Sequence, residues 1–350
     1  MKTEHILIIR FSAMGDVAMT VPVVQALARQ YPHLRITFLS RPFARPFFEG
    51  LAPNVGFMAA DIKNEYNGIR GLNALYKRIA AKNITAVADL HDVLRSSYLR
   101  FRFNLARYRV EHIDKHRTQR QRLVATAHKV MKPLPTAFQN YADVFAKLGY
   151  PVKLDFTSIF SPQGGNIRIL PPEIGTKKAF QEWIGVAPFA AHKQKAYPPE
   201  MREKMIPMLT KEHPSCRVFI FGKGPLEDPI INGIVSRNPQ CLNASAVLNG
   251  ISQELVLMSH LDVMVSMDSA NMHFASLVNT PVVSIWGATH PYAGFMGWGQ
   301  NEHNAVQIDL ACRPCSIFGN KPCLRGDLAC MRNISPEMVY ERVKQVLNKK

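Results

Sequence analysis

Short apolar runs alternate with stretches of helical periodicity along this chain, and the alternation starts again halfway. HILIIR at residues 5–10 predicts a buried parallel strand, and VPVVQALARQYP at 21–32 predicts the helix that follows it. Further helices are predicted at about 117–132 and 136–149, and the pattern begins again with the strand WIGVAP at 183–188. Strands that alternate with helices form parallel sheets with right-handed crossovers. The sequence therefore predicts an α/β protein of two doubly wound halves.

The chain length and one Pro- and Gly-rich segment divide this pattern into domains. At 350 residues the chain exceeds the roughly 100–200 residues of a usual domain. SPQGGNIRILPPEIGTKKAF at 161–180 predicts a linker. We expect an N-terminal domain at 1–165, a C-terminal domain at 166–334, and a final helix at 335–350 that packs back toward the N-terminal domain. Because such folds bind ligands at the carboxyl ends of their strands, we expect a site where the halves face each other.

Positive charge is concentrated in the first half of the chain. The net charge is +17 at pH 7, of which residues 1–150 carry +13. Residues 95–122 hold nine basic and two acidic residues, with four aromatic residues among them. Two interpretations stay open: a solvated helix surface, or an amphipathic surface that contacts an anionic lipid or a nucleic acid. No apolar stretch reaches the roughly 18–20 residues that cross a bilayer, so we expect a cytoplasmic protein.

Polar and glycine residues follow several predicted strands. Asp16 follows the first strand, in RFSAMGDVAM, where it would either cap a helix or act as a general base. Asp268 ends a later strand, and a helix begins at about Ser269, so free N–H groups and the helix dipole would point at an anion such as a phosphate. His273 one turn later is either a packing residue or a ligand contact. Further candidates at strand ends are Lys195, Gly222, Lys223, Gly224 and Glu227.

Two common nucleotide-binding motifs are absent from the sequence. The chain contains neither G-x-G-x-x-G after its first strand nor G-x-x-x-x-G-K-[ST]. Their absence disfavours a dinucleotide-dependent dehydrogenase and a P-loop NTPase.

Three segments resemble glycosyltransferase family 9, the heptosyltransferases that build the inner core of lipopolysaccharide. They are ILIIRFSAMGDVAMTVPVVQALARQYP, KQKAYP and MVSMDSANMHFASLVNTPVVSIWGATHP. The resemblance implies the GT-B architecture, in which two Rossmann-like domains face a central cleft. It implies inverting transfer of a heptose from ADP-heptose to a lipid-linked anionic saccharide, with no cofactor required for catalysis. The reaction would take place at the cytoplasmic face of the inner membrane, in peripheral contact with its anionic surface.

The resemblance also implies roles for individual residues. By matching position, Asp16 corresponds to the family's proposed catalytic base, and Lys195 to a lysine that contacts the donor. Lys195 would also stabilise charge on the departing diphosphate. The donor-binding block corresponds to Asp268, Ser269, Ala270 and His273. Family members commonly have Thr and Gly where this chain has Ser269 and Ala270, which leaves the donor's identity and the activity open. Independently of the resemblance, the first strand end and the basic segment at 95–122 supply the acceptor-side candidates Ser12, Gly15, Arg95, Arg100, Arg102 and Arg120.

Four cysteines cluster near the C-terminus with the spacing C-x2-C-x7-C-x6-C. They are Cys312, Cys315, Cys323 and Cys330. Four thiolates can close a tetrahedral structural zinc site, and a cytoplasmic chain favours metal or free thiols over disulfides. The later spacings do not form a second knuckle, which favours reduced packing cysteines. Both interpretations stay open.

Two other functions compete with heptose transfer. A family member that uses a different nucleotide sugar or acceptor would share every motif above. A basic nucleic-acid-binding protein would use residues 95–122, but it would leave the strand-end motifs of the second half without a purpose. We therefore expect no nucleic-acid partner.

Overall fold

The computed structural model describes residues 4–349. Its strands are β1 (His5–Ile9), β2 (Arg35–Ser40), β3 (Val55–Ala59), β4 (Ala86–Asp89), β5 (Arg109–His112), β6 (Trp183–Ala187), β7 (Arg217–Ile220), β8 (Cys241–Asn243), β9 (Val263–Met267), β10 (Val282–Trp286) and β11 (Ala305–Gln307). Its α-helices are α1 (Met14–Ala18), α2 (Val21–Gln30), α3 (Arg45–Phe48), α4 (Gly68–Ala80), α5 (Leu94–Leu105), α6 (Arg117–Leu123), α7 (Ala137–Lys147), α8 (Pro199–Glu212), α9 (Asp228–Arg237), α10 (Ala244–Val247), α11 (Ile251–Met258), α12 (Ala270–Leu277), α13 (Ala329–Arg332) and α14 (Pro336–Leu347).

The first compact unit comprises residues 4–115 and 135–157 and contains a five-stranded sheet. Its strand order is β3-β2-β1-β4-β5, and every pairing is parallel. All five residues of β1 are buried, as expected of a central strand covered on both faces. The chain leaves β1 on one side to form β2 and later returns on the other side to form β4. The carboxyl ends of β1 and β4 therefore flank the point where the strand order reverses, which is the usual ligand position in such sheets.

The second compact unit comprises residues 116–134 and 158–349 and contains a six-stranded parallel sheet. Its order is β11-β10-β9-β6-β7-β8. The strand order reverses between β6 and β9, so the loops after these two strands flank the corresponding position. The predicted α/β class and its two doubly wound parallel sheets are confirmed.

The unit boundaries differ from a single division at residue 165. Residues 116–134 join the second unit, although they lie between segments of the first. The predicted helix at 117–132 ends at Leu123, because the chain beyond it makes tertiary contacts instead of continuing the helical ladder. The Lys129 ammonium donates to the Pro314 carbonyl at 3.0 Å, and the Leu134 N–H donates to the Tyr292 carbonyl at 2.9 Å. A local periodicity does not reveal such partners.

The C-terminal helix α14 packs within the second unit. Its Val339, Val343 and Val346 are buried and belong to that unit's hydrophobic core. The Ser335 hydroxyl accepts from the Met338 N–H at 3.3 Å and caps the helix, and Pro336 occupies its first turn. We expected this helix to pack toward the N-terminal domain, but its apolar face is buried in the core of the second unit.

Candidate active-site residues in the two units

In the first unit, Asp16 lies in the first turn of α1, just beyond β1. One carboxylate oxygen accepts from the Ala13 N–H at 3.0 Å, as in a capping box. The other lies 3.1 Å from the guanidinium of Arg10, the first residue after β1. The Asp16 side chain remains 24% exposed, whereas that of Arg10 is 9% exposed. Asp16 therefore caps a helix and also keeps a carboxylate within reach of solvent.

His91 adds a buried imidazole at the same strand ends. Its Nδ1 accepts from the Phe11 N–H at 3.4 Å, so its Nε2 carries the proton and donates to the Ser12 hydroxyl at 3.3 Å. Burial, reinforced by the positive charges of Arg10 and Lys115, lowers the pKa of His91 to about 3. His91 is therefore neutral near pH 7 and positions Ser12 through a hydrogen bond.

Arg100 holds the turn between β4 and α5. Its guanidinium lies 3.1 Å from the fully buried Asp89 carboxylate and 3.3 Å from that of Asp92. Asp89 also accepts from the N–H groups of His91 and Asp92. Of the predicted acceptor-side residues, Arg100 is therefore already engaged in fixing the loop that presents His91.

The other predicted acceptor-side residues lie on three different helices, α1, α5 and α6. Gly15 lies inside α1, one residue before Asp16. Arg95 is exposed on α5, and Arg102 lies on the same helix with its guanidinium over the Tyr76 ring at 4.5 Å. Arg120 belongs to the second unit, where it lies over the rings of Phe295 and Phe318 at 5.1 and 5.8 Å. Sequence proximity placed Arg120 beside the others, whereas the fold assigns it to a different unit.

In the second unit, Lys195 and Asp268 meet at the reversal point of the sheet. Lys195 follows β6 and Asp268 follows β9, and these strands are neighbours. The Lys195 ammonium lies 3.3 Å from the Asp268 carboxylate, and both side chains are largely buried, at 15% and 9% exposure. The Thr289 hydroxyl donates to the same Asp268 oxygen at 2.8 Å. Loops after three adjacent strands thus build one charged cluster, which we call the Lys195 cluster (Lys195, Asp268 and Thr289).

The loop between β11 and α13 holds the Lys195 cluster in place. Arg313 is buried in this loop and donates to the backbone carbonyls of Gly287, Ile308 and Thr289, the last at 2.9 Å. Gly319 in the same loop packs its backbone against the stem of Lys195, because an added Cβ would lie only 2.5 Å from the Lys195 Cγ. Gly319 therefore fixes the position of the Lys195 side chain, and Arg313 fixes the backbone of Thr289.

The N-terminus of α12 lies directly beside the Lys195 cluster. Ser269 is the N-cap residue, but its side chain makes no capping hydrogen bond and lies 3.3 Å from the Ser266 hydroxyl instead. The first N–H groups of a helix have no partner within the helix, so those following Ser269 are available to an anion. Ala270 is the first helical residue and is half-buried. His273 is buried within the helix.

The loop after β7 carries the remaining predicted donor residues. Gly222 donates its N–H to the Ser245 hydroxyl at 3.1 Å, and an added Cβ there would meet the Phe189 ring at 2.7 Å. Gly224 has a φ of +157° and donates to the Asp228 carboxylate at 3.2 Å. Burial raises the pKa of Glu227, while Lys223 is exposed. β6 and β7 are adjacent, so this loop borders the loop of Lys195 at the same sheet edge.

The four clustered cysteines line one small cavity of about 10 Å³, together with Arg313. All four thiols are free, and Cys330 is the buried member. Burial raises the pKa of Cys330 to about 11. Across residues 4–349, no group of three or more His, Cys, Asp or Glu side chains is arranged to hold a metal ion. The structural zinc site therefore stays a prediction, although the structure does bring the four cysteines around one space.

Several residues of these sites were missed by sequence reasoning. They are Arg10, Asp89, His91, Thr289, Arg313 and Gly319. The first three had a signal in the polar ends of the first and fourth strands. Thr289 also follows a strand, within SIWGATHP. Arg313 and Gly319 had no such signal, because they act from a long loop whose packing against Lys195 is purely tertiary.

A family model for glycosyltransferase family 9 (heptosyltransferase) matches residues 72–321, which is most of the chain. A search of curated protein sequences finds no match. No helix within residues 4–349 combines the length and apolarity that a membrane crossing requires.

Solved structures share the fold over nearly the whole chain. A family 9 glycosyltransferase from Veillonella parvula is 18% identical, with a TM-score of 0.73 and coverage of 100% of this chain and 99% of its own. Escherichia coli heptosyltransferase WaaC with ADP is 16% identical, with a TM-score of 0.67 and coverage of 98% and 99%. E. coli ADP-heptose lps heptosyltransferase II is also 16% identical, with a TM-score of 0.67 and 99% coverage of both chains. The family match, together with the two doubly wound sheets, shows that this chain belongs to glycosyltransferase family 9, the heptosyltransferase family, and is a glycosyltransferase of the GT-B fold.

Proposed function

We propose that this protein transfers a heptose from ADP-heptose to a lipid-linked anionic saccharide of the lipopolysaccharide inner core, at the cytoplasmic face of the inner membrane. The observation that carries the donor half of this proposal is the Lys195 cluster. A buried ammonium beside the N-terminus of α12 suits the diphosphate of a nucleotide sugar. Two similar structures support the choice of donor, since one was solved with ADP and the other is named an ADP-heptose enzyme.

In the proposed reaction, an acceptor hydroxyl attacks the anomeric carbon of the heptose. The new bond joins the acceptor oxygen to that carbon, and the bond from the carbon to the diphosphate oxygen breaks, releasing ADP with inversion. Asp16 accepts the hydroxyl proton, and Arg10 holds its carboxylate at 3.1 Å. General bases of this kind contribute roughly 10²–10⁴-fold to turnover.

Lys195 and the α12 N–H groups stabilise the negative charge that grows on the departing diphosphate. Electrostatic groups fixed before the reaction need no reorganisation at the transition state. Asp268 keeps the ammonium in place, because its carboxylate lies 3.3 Å from the Lys195 Nζ. Thr289 in turn holds that carboxylate by donating its hydroxyl to it at 2.8 Å. We propose that this fixed positive charge takes the role of a divalent cation, so that transfer continues in EDTA.

The experiment compares Asp16→Ala with the wild-type protein, with ADP-heptose and a heptose-free lipopolysaccharide precursor as substrates. We expect turnover to fall at least about a hundredfold while the Kd for ADP changes less than about twofold. Wild-type turnover in this variant would remove Asp16 from the mechanism. The same assay with GDP- and UDP-sugars tests the donor, and faster transfer from one of these would replace ADP-heptose in the proposal.

A further inference from the structure

Helix α5 exposes three large apolar side chains on one face. Leu94, Phe101 and Leu105 have exposed fractions of 87%, 61% and 71%. Their spacing of seven and four residues places them within an arc of about 40° around the helix. Leu99 and Phe103, on the opposite face, are fully buried in the first unit. The apolar stripe is therefore directed away from the core, where it adds nothing to the stability of the fold.

The helix that carries the stripe and its neighbouring helix carry basic residues and no acidic residue. Helix α4 packs beside α5, and the Tyr98 hydroxyl of α5 donates to the side-chain amide oxygen (Oδ1) of Asn73 on α4 at 2.9 Å. Ile69, at the start of α4, is 67% exposed. Over both helices the sequence has six basic residues and no Asp or Glu. The basic residues are Arg70, Lys77, Arg78, Arg95, Arg100 and Arg102, of which Arg100 is already paired with Asp89 and Asp92 and is not counted toward the surface charge.

We infer that this α4–α5 surface, defined by the two helices, docks on an anionic lipid bilayer. Exposed leucine and phenylalanine side chains enter the boundary between headgroups and acyl chains, and arginines and lysines pair with the anionic headgroups. This inference deepens the proposed function, because it rests on the lipid-linked acceptor proposed above and assigns the surface that brings the enzyme to it.

Charge complementarity favours a bilayer over two other occupants. A second copy of the chain, docked on the same surface by two-fold symmetry, would bring basic helices against basic helices, and neither helix carries an Asp or Glu to compensate. A nucleic acid would use the arginines but would leave the apolar stripe without a role. Only an anionic lipid surface satisfies both the charge and the exposed leucine and phenylalanine side chains.

The test is co-sedimentation of the full chain with vesicles that contain no saccharide. Vesicles of phosphatidylcholine alone are compared with vesicles that also contain phosphatidylglycerol, at low and high salt. One variant combines Leu94→Ser, Phe101→Ser and Leu105→Ser, and a second combines Arg70→Ser with Lys77→Ser. Matched controls in the second unit are Phe180→Ser, whose side chain is 99% exposed, and the exposed pair Arg168→Ser with Lys211→Ser.

We expect salt-sensitive binding to the anionic vesicles only. The triple variant at Leu94, Phe101 and Leu105, which we call the serine variant, should bind the anionic vesicles at least about tenfold more weakly than wild type. The double variant at Arg70 and Lys77 should bind them roughly twentyfold more weakly, while both control variants stay within about twofold of wild type. Equal binding to neutral vesicles, equal losses in the controls, or no vesicle binding at all would overturn the inference. Dimerisation in light scattering that the serine variant abolishes, without vesicle binding, would assign the surface to a second copy and overturn it as well.

Thermal unfolding and ADP binding are measured on the same samples. Both should be unchanged in the serine variant, which shows that the fold and the donor site are intact. If vesicle binding fails while wild-type transfer from ADP-heptose proceeds, only the docking surface is refuted. If vesicle binding is as expected while transfer is absent, the proposed reaction fails and the surface stands.

Discussion

Gly319→Ala should weaken donor binding by displacing Lys195. A Cβ at this position would lie 2.5 Å from the Lys195 Cγ and 2.8 Å from its Cδ, whereas ordinary van der Waals contacts begin at 3.4 Å. Lys195 cannot swing aside freely, because its ammonium is held 3.3 Å from Asp268 and its side chain is only 15% exposed. The new methyl group and the ion pair therefore compete for the same space.

Gly326 supplies a matched control in the same loop. Its φ is +79°, close to the +73° of Gly319, but nothing lies within 4 Å of the Cβ that a substitution would add. Alanine in this conformation costs roughly 1–2 kcal/mol at either position. A change that appears in Gly319→Ala and not in Gly326→Ala thus reports the contact with Lys195 alone.

The expected magnitude follows from the contact that is lost. A hydrogen bond between charged groups contributes about 1.5–3 kcal/mol, so an ammonium moved away from the diphosphate should raise the Kd for ADP roughly 10- to 100-fold. Both variants should lower Tm by about 2–8 °C, because alanine is strained in the positive-φ backbone conformation of either glycine. The assays are calorimetric titration with ADP and thermal unfolding. If Gly319→Ala binds ADP as tightly as Gly326→Ala, the reasoning that Gly319 positions Lys195 for the donor is refuted.

Three other predictions follow from the same geometry. Thr289→Val removes the hydroxyl that donates to Asp268, so the free energy of unfolding measured in urea should fall by about 1.5–3 kcal/mol. An unchanged urea midpoint would show that this hydrogen bond does not stabilise the fold. Burial lowers the pKa of His91 to about 3, so below pH 6.5 the unfolded chain binds the extra proton and stability falls by roughly 1.4 kcal/mol per pH unit. His91→Asn should flatten this slope between pH 6.5 and 3, and parallel pH profiles would contradict it. Metal analysis of the purified protein should give about one zinc per chain if the four cysteines bind it, and a metal-free, fully folded protein would decide for packing thiols.

Local sequence patterns predicted the parts of the fold that depend on neighbouring residues. The apolar run of β1 and the periodicity of α2 each reflect burial of a continuous segment, which the residues themselves encode. Ser335 and Pro336 likewise predicted the start of α14, because capping involves only the first helical turn. The edge strands β3, β8 and β11 carried no comparable signal, although each pairs with the strand that precedes it in the chain. β8 and β11 have only three residues each, and β3 is only partly buried, so none of them forms a continuous apolar run.

Strand ends were predictable as candidate sites, but their partners were not. The position of Asp268 after β9 and of Lys195 after β6 followed from the repeating pattern, since parallel sheets gather their carboxyl ends at one edge. The sequence alone could not show that these residues share an ion pair, that Asp89 already engages Arg100, or that Arg120 belongs to the second unit.

The sequence by itself determined the two doubly wound sheets, the family and the residues at the strand ends. Only the tertiary structure decided which of those residues are held together, and by what. Gly319 is the clearest case, because it supports Lys195 from a loop more than a hundred residues later in the chain. Strand and helix patterns arise from contacts between near neighbours and can be seen locally. The ion pair and its supports depend on strand order and loop packing, which arise only when distant segments are folded against one another.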